Sequence, residues 1–302
     1  MSDLTRRHFL TATTGAAAAA GALRRTAAAG KEVTPLPQVP LGKTGITLSR
    51  LGQGTGAHGY DRKSNQTKKG FSAFLELIRH GYDRGITFFD LADLYGTHVY
   101  FREALKFLPR EKITILSKLW WRYDSPPEKT PAEFQRSAAE AALERFRQEI
   151  LTDYLDIVLL HCATTGTWDR DLRAYMDVLS EAKEKKIIRA VGVSCHDFGA
   201  LETAAASPWV DVILARLNPK GVKMDGTPDE IVDVLRKARQ NGKGIIGMKI
   251  YGEGKLANMK EECIRFAQNS GVLDTMTIGA ETPEQLDETL RLIGRYPAKR
   301  LT

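Results

Sequence analysis

The sequence predicts an α/β fold in which a single domain closes into a (β/α)8, or TIM, barrel. Short runs rich in β-branched residues alternate with amphipathic stretches, which favours a parallel sheet. None of these runs is followed by the G-x-G-x-x-G pattern that opens a helix in open dinucleotide-binding sheets. Polar side chains recur where the runs end, at the face where a barrel carries its active site.

Eight strands are predicted after the first thirty residues. They span residues 48–54, 87–90, 113–118, 157–161, 190–194, 212–217, 244–249 and 275–279. Between them, apolar residues recur three and four positions apart, which predicts helices. These helices span residues 71–78, 101–108, 131–150, 172–185 and 231–240. A threonine followed by proline precedes or opens several helices, at 130–131, 227–228 and 282–283.

Composition and charge are those of an ordinary globular protein. The chain has 302 residues, of which 42% are hydrophobic and 27% charged, and one barrel commonly takes about 250 residues. The formal net charge is +7, but four arginines lie in the first thirty residues. No dense lysine and arginine stripe is interleaved with aromatic residues, so nucleic acid is not expected as a partner.

Residues 1–29 are interpreted as a removable export signal, which leaves residues 30–302 for the barrel. Arg6 and Arg7 precede Phe9, a weakly apolar stretch and an alanine triplet ending at Ala29. The pattern resembles a twin-arginine signal, which implies export of an already folded protein by the twin-arginine translocase to the periplasm. The segment is too short and alanine-rich to span a bilayer, so no membrane insertion of the mature chain is expected. An alanine-rich helical or disordered tail is the alternative.

Three segments bring titratable side chains to the ends of predicted strands. They are residues 88–96, 115–118 and 153–161, and they carry Asp90, Tyr95, Lys118 and His161. Reduction of a carbonyl by hydride uses such a set, because the developing alkoxide needs a proton. We expect Tyr95 to donate it and Lys118 to lower the phenol's pKa from about 10. Asp90 would hold Lys118, and His161 would orient and polarise the carbonyl oxygen.

These motifs resemble the aldo-keto reductase family, and the resemblance extends over residues 38–295. Three segments match the motifs that carry the family's four catalytic residues: Asp-x-Ala-x-x-Tyr-Gly at 90–96, Ser-Lys at 117–118 and Asp-Tyr-Leu-Asp-Ile-x-x-x-His at 153–161. Residues 188–194 match the strand before the family's nicotinamide contact. The resemblance implies a small-molecule aldehyde or ketone substrate and NAD(P)H as the reductant.

Several nicotinamide contacts depart from the family's pattern. The resemblance implies that Ser194, Cys195, Met248 and Lys249 lie at the cofactor. Cys195 stands where the family usually has asparagine, Leu214 where it has glutamine, and Met248 where an aromatic residue stacks on the ring. Methionine could form a soft platform there. A barrel that binds a nicotinamide nucleotide with little or no turnover, as a sensor or binding module, therefore stays an alternative.

The segment 278–286 resembles the family's adenosine-phosphate loop. A helix N-terminus follows it and would bind phosphate, with contacts expected from Gly279, Ala280, Glu281 and Gln285. Family members that choose NADP commonly place a basic residue here, whereas a carboxylate repels a 2′-phosphate. The resemblance to the family implies NADP as the expected cofactor, and NAD is the alternative.

A metal-dependent isomerase or hydrolase is a further alternative, but it would need several Asp, Glu or His ligands at strand ends. The predicted ends offer one Asp and one His, so no metal site is expected. His196 beside Cys195 suggests an activated thiol, although neighbours on a strand point to opposite faces. Trp120, Trp121 and Tyr123 could wall the substrate site or pack within a loop.

The cysteine count leaves one question open. Of three cysteines, Cys162 and Cys195 end strands that would be neighbours, so a disulfide is conceivable. Free thiols are preferred, because a folded-export route begins in a reducing cytoplasm.

Overall fold

Eight parallel strands form a closed barrel in the computed structural model, which describes residues 36–124 and 126–299. The proposed export signal lies outside the described residues. The strands pair in chain order, and the last pairs with the first. They are β3 (Leu51–Gly54), β4 (Phe88–Asp90), β5 (Thr114–Leu119), β6 (Leu155–Ala163), β7 (Ile188–Cys195), β8 (Val212–Arg216), β9 (Gly244–Met248) and β10 (Thr275–Ile278). The predicted (β/α)8 barrel is confirmed.

Helices occupy the connections between strands. The described helices are α1 (Asn65–Lys68), α2 (Gly70–Asp83), α3 (His98–Ala104), α4 (Trp121–Asp124), α5 (Ala132–Ile150), α6 (Trp168–Asp171), α7 (Arg173–Glu184), α8 (Phe198–Ala206), α9 (Pro228–Gln240), α10 (Lys260–Asn269) and α11 (Pro283–Arg295). Helices α8 and α10 and the single-turn helices α1, α4 and α6 were not predicted. Among the described residues, no helix is both long enough and apolar enough to cross a membrane.

The strand predicted at 48–54 is divided at Arg50. Its first part, β2 (Thr47–Ser49), pairs antiparallel with β1 (Gln38–Pro40) in a separate hairpin. The division has a physical cause in the buried Arg50 side chain. It donates hydrogen bonds to the Gln268 side chain at 2.8 Å and to the Asp274 carbonyl at 2.7 Å, which fixes the chain where it enters the barrel.

The barrel strands alternate between two apolar environments. Inward side chains form one buried cluster, in which Leu41, Ile46 and Leu48 pack with Phe88 and Leu116. Outward side chains pack against the helices in a second, larger cluster. Because side chains alternate along a strand, the residues that end each strand can be assigned to the interior or to the helix layer.

Candidate active site

A cavity of about 480 Å³ lies at the carboxyl ends of the strands, which is the size of a small-molecule site. The structure brings most of the predicted site residues to its wall. They are Asp90, Tyr95, His161, Ser194, Met248, Lys249, Gly279, Ala280, Glu281 and Gln285. Lys118 lies buried behind Asp90 and Tyr95.

Lys118 is the centre of the polar cluster at one end of this cavity. Its ammonium is 1% exposed and forms an ion pair with Asp90. It also donates to the Leu91 carbonyl at 3.0 Å, and it lies 3.5 Å from the Tyr95 hydroxyl. Thr277 donates to the second Asp90 oxygen at 3.0 Å. This buried charge is therefore paired and hydrogen-bonded, as a stable buried ion must be.

Two glycines fix the ring of Tyr95. A Cβ on Gly56 would lie 2.3 Å from the Tyr95 ring and one on Gly59 would lie 2.4 Å from it. Real Cβ atoms do not approach so closely, so the loop after β3 needs glycine at both positions to pass the ring. Gly96 follows Tyr95 in the left-handed region with φ of +64°. The sequence left the roles of Gly56 and Gly59 unassigned.

Burial sets the protonation state of Tyr95. It raises the phenol's pKa well above its usual value, and the charge of Asp90 adds to this effect. From the sequence we expected Lys118 to lower the pKa. The structure gives the opposite direction, because desolvation of the phenolate is the largest effect and the Asp90 charge acts in the same direction.

His161 stands beside Tyr95 with its ring edge-on, at a centroid distance of 5.7 Å. The residue is 3% exposed, and its Nδ1 is buried without a hydrogen-bond partner. Burial, followed by the positive charge of Lys118, lowers its pKa well below the usual range. The ring is therefore neutral at pH 7, with one N–H donor and one acceptor nitrogen.

The other end of the cavity lies between α11 and the segment around α1. Thr282 caps α11 by accepting from the Gln285 amide, and the Glu281 amide donates to the Gln285 side chain at 2.9 Å. The Glu281 carboxylate accepts from Asn65 at 2.9 Å and lies 3.9 Å from the Lys69 ammonium. The predicted carboxylate is thus at the cavity, and a lysine from another element stands next to it.

The sequence model of the Aldo/keto reductase family matches residues 50–288. The chain belongs to this family. The match contains all eight barrel strands and both ends of the cavity, so it extends over the elements that form the candidate active site.

Curated relatives of this aldo-keto reductase include two enzymes of Escherichia coli. A methylglyoxal reductase is 28% identical over 191 residues, which are 61% of this chain and 60% of the relative. An NADH-specific methylglyoxal reductase is 29% identical over 222 residues, or 68% of this chain and 65% of the relative. The matched stretch is thus less than two thirds of either relative's own length.

A solved structure shows the same fold. An aldo-keto reductase from Bacillus halodurans, crystallised in its holo form, superposes with a TM-score of 0.66. The alignment takes in 88% of this chain and 93% of that protein at 17% sequence identity. At this identity the likeness supports the barrel architecture alone.

Cys195 is the predicted cofactor contact that the structure does not bring to the cavity. It is fully buried in the helix-side cluster, and its thiol faces the Ala200 carbonyl at 3.8 Å. Strand alternation is the reason: Ser194 and His196 face inward, so Cys195 between them faces outward. His196 lines the cavity instead, and sequence reasoning had considered it only as a partner for Cys195.

The described cysteines are all free thiols, so Cys162 and Cys195 do not form a disulfide in this structure. Cys162 lines the cavity, where its sulfur lies 3.5 Å from Nε2 of His196. Burial raises the pKa of the Cys162 thiol to about 11, which keeps it protonated at neutral pH. A cysteine nucleophile activated by His196 is therefore not favoured. Of the aromatics after Lys118, Trp120 contacts the His161 ring at a centroid distance of 5.4 Å.

Proposed function

We propose that this chain is an oxidoreductase that reduces the carbonyl group of an aldehyde or ketone to an alcohol, with NADPH or NADH as the reductant. One observation carries the proposal: Tyr95, His161 and the Asp90–Lys118 ion pair converge at one end of the cavity. The two Escherichia coli relatives named for methylglyoxal reduction support carbonyl chemistry of this kind.

The residues present fit a nicotinamide nucleotide. One polar atom at this end, Nδ1 of His161, is buried without a hydrogen-bond partner and is available to a ligand. Ser194, Leu214 and Met248 would hold the nicotinamide end, and Gly279 to Glu281 with the start of α11 would hold the phosphate end. When bound, the reduced nicotinamide supplies a hydride to the carbonyl carbon.

The protein supplies the proton and the orientation. Tyr95 remains a phenol at neutral pH because burial raises its pKa, so it can donate its proton to the carbonyl oxygen as negative charge develops there. Lys118, 3.5 Å from the phenol oxygen, stabilises the phenolate that remains. Neutral His161 donates an N–H to the same carbonyl oxygen and so orients the substrate.

NADP is the proposed cofactor, with NAD accepted. Lys260 lines the cavity, and Lys69 lies 3.9 Å from Glu281 at the phosphate end. Glu281 opposes a 2′-phosphate, whereas Lys69 attracts it, so we expect a modest preference.

A binding barrel with little turnover is the second candidate. Apolar Leu214 and Met248 line the cavity where the family usually places a glutamine and an aromatic residue, which favours this candidate. Both candidates bind nucleotide, and only the first consumes it.

The deciding experiment follows protein fluorescence during titration with NADPH and NADH, and then absorbance of the reduced nucleotide with a panel of aldehydes and ketones. Binding with consumption that depends on the carbonyl supports the reductase. Binding without consumption would move the second candidate to first place, and absence of binding would exclude both.

We further propose that the chain is exported through the twin-arginine route, since Arg6 and Arg7 precede a weakly apolar stretch. An enzyme that acquires its nucleotide in the cytoplasm suits a pathway that carries folded proteins.

A further inference from the structure

Three polar rings stand in a row along one wall of the cavity. His161 lies between Tyr95 and His196, with centroid distances of 5.7 Å and 6.4 Å and near-perpendicular ring planes. Tyr95 and His161 already have roles in the proposed reduction. His196 has none, although it faces the same space as His161.

The proton of His196 is placed by the residues behind it. Arg216 donates to Nδ1 of His196 and also donates to Asp225 at 2.9 Å. A guanidinium can only donate, so Nδ1 must accept and the neutral ring carries its hydrogen on Nε2. Burial, followed by the charge of Arg216, lowers the pKa of His196 to about 2, so the ring stays neutral.

This N–H makes no short hydrogen bond within the described residues. Its nearest partners are Ser194 Oγ at 3.2 Å, the long end of the N–H···O range, and Cys162 Sγ at 3.5 Å, a weak acceptor. A neutral imidazole donor is thus fixed in orientation next to His161, the proposed donor to the reacting carbonyl.

Four cations act on His196, of which three are paired with carboxylates and the fourth, Arg122, is exposed to solvent. Arg216 pairs with Asp225, and Lys249 pairs with Glu253 at 2.5 Å. A carboxylate ligand would have to compete with these protein acids for the two cations. The surroundings therefore favour an uncharged oxygen over an anionic one.

We propose that His196 binds a second oxygen of the substrate, so that the cavity prefers uncharged carbonyl compounds with another oxygen on the neighbouring carbon. The proposal rests on the reductase function. His161 donates to the reacting carbonyl and His196 to its neighbour, which holds the two oxygens in one orientation. Arg216 acts as a positioning residue, because it sets which nitrogen of His196 carries the proton.

The test compares butane-2,3-dione with butan-2-one, which share a carbon skeleton and differ by one oxygen. Because the dione is intrinsically more reactive, the informative quantity is the change in the ratio of kcat/KM between variants. His196→Phe keeps a ring without the donor, and His196→Gln keeps an N–H donor. His80→Phe on α2, where the residue pairs with Asp287 outside the cavity, is the matched control.

We expect His196→Phe to lower the dione-to-ketone ratio about tenfold, the value of one hydrogen bond of about 1.4 kcal/mol. His196→Gln should retain at least about half of the wild-type ratio, and His80→Phe should match the wild type. An unchanged ratio in a folded His196→Phe protein would overturn the proposal. So would loss of NADPH affinity in that variant with an unchanged ratio, since His196 would then hold the nicotinamide.

If His196→Phe does not fold, as judged by thermal unfolding, the His196→Gln and Arg216→Met proteins replace it. The Arg216→Met protein lacks the donor to Nδ1, so it should lower the ratio while NADPH affinity, read from fluorescence, stays within about twofold. A ratio unchanged in this protein would count against His196. Failure of the wild type to oxidise NADPH with either compound or with the wider panel would instead reject the reductase function.

Discussion

Burial keeps both Tyr95 and His161 uncharged at neutral pH. Desolvation disfavours the charged form of each, so it raises the pKa of the phenol and lowers that of the imidazole. Both side chains are thus neutral donors over the whole physiological range. In the proposed reaction Lys118 would stabilise the phenolate that is left after the proton has moved, since it lies 3.5 Å from that oxygen.

Because the pKa of Tyr95 is raised and that of His161 is lowered, we expect kcat to be constant over a wide pH range. At saturating nucleotide, kcat should vary by less than about twofold between the ordinary values of 6.5 for histidine and 10.0 for tyrosine. Activity should fall only well below the first value, when His161 becomes charged, and well above the second, when Tyr95 loses its proton. A pH profile of kcat checks this. A limb near pH 7 or 8 would contradict the burial argument.

Glu281 governs the expected nucleotide selectivity. We expect NADH to bind no more than about tenfold more weakly than NADPH, a gap of about 1.4 kcal/mol. Glu281→Lys should widen the gap towards NADPH, because a carboxylate is replaced by a cation beside Lys69. Fluorescence titrations with both nucleotides measure this difference in affinity. Glu284→Lys, which makes the same change in the first turn of α11, is the control. An unchanged gap would mean that Glu281 does not reach the 2′ position.

Motif spacing was sufficient to bring Asp90, Tyr95, Lys118 and His161 together as a predicted set, because each lies at or just after a strand end. The inward position of His196 was also within reach, since strand alternation from Ser194 gives it. The direction of the Tyr95 pKa shift could not be predicted from the sequence, because it depends on how far the folded protein excludes water from the phenol.

Helices α3 and α5 support the site from outside the barrel. His98 on α3 contacts Ser117 Oγ at 2.8 Å and the Glu149 carboxylate of α5 at 2.8 Å. Ser117 precedes Lys118 in β5, so this buried bridge connects the helix layer to the strand that carries the ammonium. Arg145 also binds Glu149, at 3.0 Å.

Glu149 should make a stability contribution that depends on pH. Burial alone would raise its pKa, but the hydrogen bonds and charges of His98 and Arg145 outweigh this and lower it from 4.5 to about 2. A lowered carboxyl pKa stabilises the fold above the unfolded value, and this contribution is lost as pH falls from about 4.5 towards 2. Glu149→Gln should cost about 1 to 2 kcal/mol at pH 7 and less at pH 3.

Urea unfolding at the two pH values measures this difference. Glu144→Gln changes the same residue type on the same helix, where the side chain is 54% exposed and pairs only with the neighbouring turn. That control should change the free energy of unfolding by less than about 0.5 kcal/mol at either pH. A cost for Glu149→Gln that does not shrink at pH 3 would contradict the assigned coupling.

At the level of elements, apolar periodicity was enough for the strands and the longer amphipathic helices. It missed α8, whose alanine-rich sequence is nearly uniform in hydropathy and whose position is set by Asp197 capping the Ala200 amide at 2.9 Å. It also ran β2 and β3 together, because a single residue, Arg50, lies between them and its tertiary contacts are not visible in the sequence.

At the scale of the whole molecule, the apolar cluster that stabilises the barrel and the polar cluster of the candidate active site lie in different parts of the fold. The inward apolar cluster, to which β2 contributes Leu48, fills the interior of the barrel. The polar cluster around Lys118 stands at the carboxyl ends of the strands. The (β/α)8 architecture could be predicted because eight alternating units in one domain-sized chain leave few other arrangements. The substrate could not be predicted, because it depends on loops whose conformation the alternation of strands and helices does not specify.

The proposed export route is a property of the full chain. Replacing Arg6 and Arg7 with lysine should leave a full-length precursor in the cytoplasm, because the twin-arginine pair would be lost while the charge is kept. Cell fractionation with detection of precursor and mature forms measures this. Export of the lysine variant at the normal rate would show that the segment uses another route.

The most direct test of the central claim is the turnover of Tyr95→Phe. This change removes one oxygen and keeps the ring between Gly56 and Gly59. We predict that kcat falls at least about 10²-fold, the lower end of what a general acid contributes, while NADPH affinity stays within about twofold. Lys118→Met combined with Tyr95→Phe should be little worse than either single change. Activity of Tyr95→Phe within about threefold of the wild type would contradict the proposed mechanism.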